Sequence, residues 1–165
     1  MSTVWISLGS NVGDREKHID RAVSSLARIL EELRVSPIYE TGARDVPDQR
    51  DFLNAVVRGT TGRSAPDLLV LLQGIERAGG RVRDAAVPRG PRTIDLDILL
   101  IDDCVLDETG GSFGLTVPHP RMDERLFVLK PLLDLDPGIT DPRDGIPWAG
   151  KASHLSDQRV KLYRT

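Results

Sequence analysis

Arg92-Thr93-Ile94-Asp95-Leu96-Asp97-Ile98-Leu99-Leu100 is the stretch on which the fold turns. Ile94, Leu96 and Ile98 alternate with polar neighbours, the period of two expected of a strand with one face in a core, and Thr93 to Ile101 is the clearest strand of the chain. Immediately upstream, Ser64 reads as the cap of a helix with Pro66 in its first turn and Asp67 three residues after the cap. Leu68, Leu69, Leu71, Leu72 and Ile75 give that helix its apolar face, and Gly79-Gly80 ends it. Phe52 to Thr60 reads as a further strand. Val35 to Tyr39 also looks extended, with Pro37 confining it to an edge or a bulge. An earlier helix starts at an Asp14 cap and carries Ile19, Ala22, Val23, Leu26, Ile29, Leu30 and Leu33 at three-and-four spacing. Val4 to Leu8 reads as a buried strand ending at the turn Gly9-Ser10-Asn11.

The resulting order is strand, helix, strand, strand, helix, strand. That is the ferredoxin-like βαββαβ core of the α+β class, an antiparallel sheet with both helices packed on one face in two layers. Beyond Ile101 the pattern weakens. Asp102-Asp103 is read as a turn into a short Cys104 to Leu106 strand, and Leu126 to Leu133 has helical spacing interrupted by Pro131. The proline-, glycine- and aspartate-rich tail is expected to wrap the surface. A single domain over 1–165 is expected, with a core to about 133 and an irregular C-terminal extension over 134–165.

The chain has 165 residues, 39% hydrophobic and 28% charged, which suits one compact core. No apolar run approaches the ~20 residues of a membrane helix. The N-terminus has neither a basic start nor a secretion-type apolar run, so the chain is expected to be cytoplasmic. The lone Cys104 excludes an internal disulfide and a cysteine-based zinc site. A net charge of −3 argues against nucleic-acid binding through a generally basic surface. Locally the charge is polarised: residues 77–92 hold five arginines against Asp84, and residues 93–108 hold six acidic residues and no basic one. A cation-rich loop joined to an anion-rich strand suits a polyphosphate with its metal ions.

On a strand, Asp95 and Asp97 point the same way, about 6–7 Å apart along the chain. Magnesium takes oxygen ligands and usually one or two carboxylates, so the pair suits a metal–nucleotide complex; otherwise it is a solvated strand face. Arg81, Arg83 and Arg92 come from a glycine- and proline-punctuated loop and could clamp a polyphosphate, or simply pair with nearby aspartates. Glu76 is by default surface charge, and could instead accept hydrogen bonds from a ribose. Phe52, Asn54 and Val56 share a face, placing an aromatic ring beside a carboxamide, as stacking and reading a heteroaromatic ring would require. The alternative is a core aromatic beside a turn-stabilising asparagine. Gly9-Ser10-Asn11-Val12-Gly13-Asp14 lacks the Lys-Ser/Thr of a phosphate loop and the three-glycine dinucleotide fingerprint. His119 has no identifiable serine or cysteine partner for covalent catalysis.

Leu8-Gly9-Ser10-Asn11, Asp51-Phe52-Leu53-Asn54-Ala55-Val56, Glu76 with Gly80-Arg81-Val82-Arg83, Gly90-Pro91-Arg92-Thr93-Ile94-Asp95-Leu96-Asp97 and Val117-Pro118-His119-Pro120 together resemble the 6-hydroxymethyl-7,8-dihydropterin pyrophosphokinases of folate biosynthesis. The likeness runs from the first strand to about Leu133, and the Gly-Pro-Arg-Thr-Ile-Asp-Leu-Asp run is its most specific part. It implies transfer of the terminal diphosphate of ATP to the pterin hydroxymethyl oxygen with release of AMP. It implies two Mg²⁺ ions held by Asp95 and Asp97, with Arg83 and Arg92 as catalytic phosphate contacts. His119, Arg125 and Arg81 would join them on the triphosphate, and Gln73, Glu76 and Thr116 would bind the nucleoside. Phe52 and Phe127 would sandwich the pterin while Asn54 reads its edge. The implied partners are ATP and the pterin alone, without nucleic acid or membrane, the product passing to dihydropteroate synthase. The sequence departs from the family pattern at Gly42-Ala43-Arg44-Asp45-Val46-Pro47 and at Arg89, which receives no role.

Overall fold

The computed structural model describes residues 1–42, 49–80, 93–108, 110–111 and 113–165. The expected strand–helix order is present: β1 (Ser2–Ser10), α1 (Arg15–Leu26), β2 (Glu31–Val35), β3 (Ile38–Thr41), β4 (Phe52–Thr61), α2 (Ala65–Ala78) and β5 (Asp95–Ile101). β1 is central. It pairs antiparallel with β4 on one side and with β5 on the other, while β2 and β3 both pair with β4. This is the ferredoxin-like sheet with its second strand in two pieces.

The break in that strand falls at Ser36-Pro37, where the proline has no amide hydrogen to donate. Ser36 compensates on both sides: its amide donates to the Val56 carbonyl, and its hydroxyl accepts from the Val56 amide, each at 2.9 Å. The expected single strand is thus two. β3 is also no edge, because a C-terminal strand, β8 (Lys161–Arg164), pairs along its outer side.

Asp14 caps α1, its carboxylate accepting from the Lys17 amide at 3.1 Å. The helix stops at Leu26, however, well short of the Leu33 reached by the sequence pattern. Ile29 and Leu30 still enter the core, but from a turn that crosses β4 at Gly59, where an added Cβ would lie 3.0 Å from Leu30 Cβ. The apolar spacing therefore continues past the helix because the turn packs on the same core. Ser64 caps α2 as expected, accepting from the Asp67 amide at 3.2 Å.

α1 and α2 cover one face of the sheet. Ile6, Leu8, Leu53, Ala55, Leu96 and Ile98 meet Ile19, Leu26, Leu68 and Leu72 there. The opposite face has a second core, built from Trp5, Val56, Leu99 and Leu100 against the later part of the chain. A bulge sets it up: Trp5 faces Leu100 and Ile6 faces Ile98, so the extra residue, Leu99, turns to the same side as Leu100.

Covering that second core are α3 (Leu126–Leu135), preceded by a 3₁₀ turn over Met122–Glu124, and α4 (Trp148–Ala152). Pro131 lies inside α3 and does not interrupt it. The tail beyond Asp134 is not an irregular surface wrap. Trp148 is fully buried, Arg143 and Lys151 lie against its ring, and β8 extends the sheet. Asp141, fully buried, accepts from Arg143 Nε at 2.9 Å and from Lys151 Nζ at 2.5 Å. Burial alone would raise its pKa; these two cations outweigh it and hold the carboxyl down at about 2. β6 (Leu106–Asp107) and β7 (Thr116–Val117) form a separate two-stranded ribbon, so the expected Cys104 strand begins at Leu106. Asp102, at φ 45°, makes the turn before it and accepts from the Thr3 amide. Among the described residues no helix is long and apolar enough to cross a membrane.

Candidate active site

The register of the central strands places the candidate residues. Asp95 lies opposite Gly9, Gly9 opposite Asn54 and Asn54 opposite Tyr39, so the four form one row across the sheet. One step along, Asp97 lies opposite Ser7 and Ser7 opposite Val56. Directly opposed residues share a face, so Asp95, Asp97, Asn54 and Val56 all project to the side away from α1 and α2. Asp95 and Asn54 are two strand spacings apart, roughly 10 Å. The second core fills that face around Val56 and Leu99; the end with Asp95, Gly9 and Asn54 is polar.

Gly9 keeps this polar end open. A Cβ there would stand 3.5 Å from Asn54 Oδ1 and 3.8 Å from the Phe52 ring, in space that a side chain would otherwise fill. Asn54 is buried and its Nδ2 donates to Thr41 Oγ1 at 2.8 Å, which fixes the carboxamide and turns Oδ1 toward Gly9 as an acceptor. Thr41 was not legible as a partner of Asn54, since nothing in the sequence fixes the register between β3 and β4 across residues 42–51. Phe52 is half-buried two residues earlier on the same face.

Glu76 is not surface charge. It is 3% exposed at the C-terminal end of α2, and its Oε1 accepts from the Leu96 amide at 2.9 Å. Leu96 lies between the two aspartates, so Glu76 grips the strand that presents them. Gln73 is half-buried one turn earlier.

His119 is tied to the same strand, its amide donating to the Leu99 carbonyl at 2.9 Å. Its Nδ1 accepts from the Arg121 amide at 3.2 Å, which leaves Nε2 as the N–H donor of the neutral ring. Burial first and the Arg125 cation second, with a smaller push from Arg121, hold its pKa down at about 4 against the opposing charge of Asp95. The imidazole is thus neutral near pH 7 and belongs to one electrostatic neighbourhood with Asp95, Arg121 and Arg125. Arg125 in turn lies over the Phe127 ring, 5.7 Å from its centroid. Arg121 had no signal in the sequence beyond its nearness to His119. Thr116 carries a buried hydroxyl without a hydrogen-bond partner among the described residues.

Asp95, Asp97, Asn54, Phe52 and Glu76 are thus gathered on β4, β5 and the end of α2, and His119, Arg125 and Phe127 on the segment that follows β7. Arg81, Arg83 and Arg92, with the 43–47 part of the departing loop and Arg89, lie outside the described residues. The donor set at the carboxylate pair is all oxygen, on one rigid strand, and suits a hard divalent cation. Among the described residues, no cluster of three or more histidine, cysteine or acidic side chains forms a complete metal cage.

The family model for 7,8-dihydro-6-hydroxymethylpterin-pyrophosphokinase matches residues 5–137. The chain is 38% identical to the 2-amino-4-hydroxy-6-hydroxymethyldihydropteridine pyrophosphokinase of Aquifex aeolicus, over 86% of this chain and 85% of that protein. It is 46% identical to the Bacillus subtilis protein of the same name, over 79% of this chain and 76% of that one. Identity to the folic acid synthesis protein Fol1 of Schizosaccharomyces pombe is 41% over 96% of this chain, which spans only 21% of Fol1. Among solved structures, wild-type Plasmodium falciparum HPPK-DHPS superposes with a TM-score of 0.69 at 14% identity, covering 95% of this chain and 44% of that one. Sequence likeness over four-fifths of the chain and a common fold agree with the row of residues on the open face: the chain belongs to the 7,8-dihydro-6-hydroxymethylpterin-pyrophosphokinase family.

Proposed function

We propose that the protein transfers the terminal diphosphate of ATP to the hydroxymethyl group of 6-hydroxymethyl-7,8-dihydropterin. The observation that carries this reading is the single row in which Asp95, Gly9 and Asn54 adjoin on one sheet face, with Asp97 one step away. A carboxylate pair and a fixed carboxamide two strands apart match a donor polyphosphate beside a flat hydrogen-bonding acceptor. The family relatives named for the same pyrophosphokinase support it.

In this reading Phe52 and Phe127 flank the pterin, and Asn54 Oδ1 accepts from its amino or ring N–H edge. Arg125, Arg83 and Arg92, with Arg81, hold triphosphate oxygens, and the neutral His119 donates from Nε2. Gln73, Glu76 and Thr116 border the nucleoside. Glu76 has a second task, holding the Leu96 amide so that the flanking carboxylates keep their spacing. Asp95 and Asp97 would hold Mg²⁺, two ions in this reading, which when bound would neutralise phosphate charge and polarise the phosphoryl centre. The hydroxymethyl oxygen bonds to the β-phosphorus as the bond from the bridging α,β-oxygen to that phosphorus breaks. AMP departs with the electron pair, and the hydroxyl proton passes to solvent. Such a transfer needs positioning and charge stabilisation more than a covalent intermediate.

A cytoplasmic reaction whose product passes to dihydropteroate synthase completes the reading; the fused HPPK-DHPS chain of Plasmodium falciparum supports that order. The test is acceptor competition. With MgATP, 6-hydroxymethyl-7,8-dihydropterin should drive AMP release and outcompete purines and other pteridines lacking the hydroxymethyl group. Preference for another ring system would replace the acceptor and leave the nucleotide site in place.

A further inference from the structure

Gln158 lies in the C-terminal segment between a 3₁₀ turn (Ser153–Leu155) and β8, far in sequence from every residue given a role above. Its carboxamide nevertheless bridges backbone groups of the site. Nε2 donates to the Glu124 carbonyl at 2.7 Å, and Oε1 accepts from the Leu126 amide at 3.0 Å. These are the carbonyl before Arg125 and the amide after it.

The need for such a bridge is local. Leu126 opens α3, so its amide has no partner within the helix, and the residue in the cap position is Arg125, whose side chain makes no capping bond. Arg125 itself is extended, at φ −122° and ψ 97°, between the 3₁₀ turn and the helix. Gln158 supplies the missing cap from 32 residues away, and its own amide is held by the Leu155 carbonyl at 3.0 Å. On the preceding side, Arg143 Nη2 bonds Asp123 at 2.7 Å. The short stretch that launches Arg125 and, two residues on, Phe127 is thus fastened on both sides by the tail.

We propose that Gln158 is a positioning residue for both substrates, fixing the backbone on either side of Arg125 so that the guanidinium meets the triphosphate and the Phe127 ring meets the pterin. This rests on the reading of Arg125 and Phe127 given above. A cap that served stability alone would change the folded fraction and leave substrate affinity untouched. A cap that aims substrate-holding side chains would change affinity, because losing an interaction that holds the ground state and the transition state alike raises KM and leaves kcat in place.

The experiment compares Gln158→Leu, Gln158→Ala and Arg125→Ala in the full chain. Either Gln158 variant should raise KM for MgATP and for the pterin about fivefold or more, with kcat within about twofold. Exchange of the Leu126 amide with solvent should quicken at least about tenfold in the same variants, reporting loss of the bond independently of activity. Wild-type KM values, or a fall in kcat at unchanged KM, would overturn the positioning role provided Arg125→Ala itself raises KM for MgATP. Should Arg125→Ala leave that KM unchanged, the underlying assignment of Arg125 fails, and the role of Gln158 with it.

Discussion

The two faces of the central sheet are built by different rules. Toward α1 and α2, the contacts are apolar along the whole length of the strands, from Val4 to Leu53 and Leu96. The other face is divided. Trp5, Leu99, Leu100 and Trp148 make a second core at one end, while Asp95, Gly9 and Asn54 remain at the other. Elements crossing this face are tied down by polar bonds: Tyr39 to Asp134, Trp5 Nε1 to Asp136 at 2.6 Å, and Asp141 to Arg143 and Lys151. A sheet covered evenly on both faces would have no room for a substrate, and one covered on a single face would leave the carboxylates in bulk water. The division supplies a rigid strand for the carboxylates and a neighbouring wall of side chains.

That contrast can be broken in several places. The largest effect is expected at the carboxylates: Asp95→Ala or Asp97→Ala should cut turnover by roughly 100- to 1,000-fold or more, with the melting temperature within a few degrees of the parent. Turnover near the parent value in both variants would separate the polar end from the chemistry. Next comes Trp148→Ala, expected to cost about 3–5 kcal/mol in denaturant unfolding. A loss under about 1 kcal/mol would return the tail to the status of a surface wrap.

Tyr39→Phe should cost less, about 1.5–3 kcal/mol, because it removes a hydrogen bond to a carboxylate while keeping the ring. Burial first, and Asp134 second, push the Tyr39 hydroxyl up to about 12, so its bond to Asp134 persists through neutral and mildly alkaline pH. Unchanged stability in Tyr39→Phe would mean that the Tyr39–Asp134 bond adds nothing to the docking of α3 on the sheet.

The remaining expected effect is a pH trend. His119 has its pKa lowered from 6.5 to about 4 in the folded protein, so the unfolded chain binds its proton first. The stability contributed by the neutral ring is present above about pH 6.5 and is lost as pH falls toward 4. His119→Gln should flatten the stability curve in that window. The contribution of Asp141, depressed from 3.8 to about 2, is lost only below it, as pH falls from about 4 toward 2. A His119→Gln curve parallel to the parent between pH 6.5 and 4 would contradict the burial of a neutral imidazole.

Legibility in the sequence follows the same division. The helix-covered face was readable because an apolar residue every second position on a strand, or every third and fourth on a helix, has one meaning when a single core receives it. Ile94, Leu96 and Ile98 gave β5, and its two aspartates, directly. The same logic misled at Leu30 and Leu33, where the spacing persisted into a turn and a strand. The second face was poorly readable because its bonds join distant residues: Asp134 to Tyr39, Asp136 to Trp5, Gln158 to the two sides of Arg125. None has a period, and the buried Asp141 looks from sequence like any loop aspartate. Surface charge is the default reading of Glu76 for the same reason, its partner being a backbone amide on another element.

The central claim is that the polar end of the divided face joins a nucleotide to a pterin by diphosphate transfer, and phosphorus NMR of one reaction mixture tests it most directly. With ATP, Mg²⁺ and 6-hydroxymethyl-7,8-dihydropterin, AMP and a pterin diphosphate should accumulate in equal amounts, and neither should form without the pterin. ADP with a pterin monophosphate, or AMP and free diphosphate formed regardless of the pterin, would contradict the account.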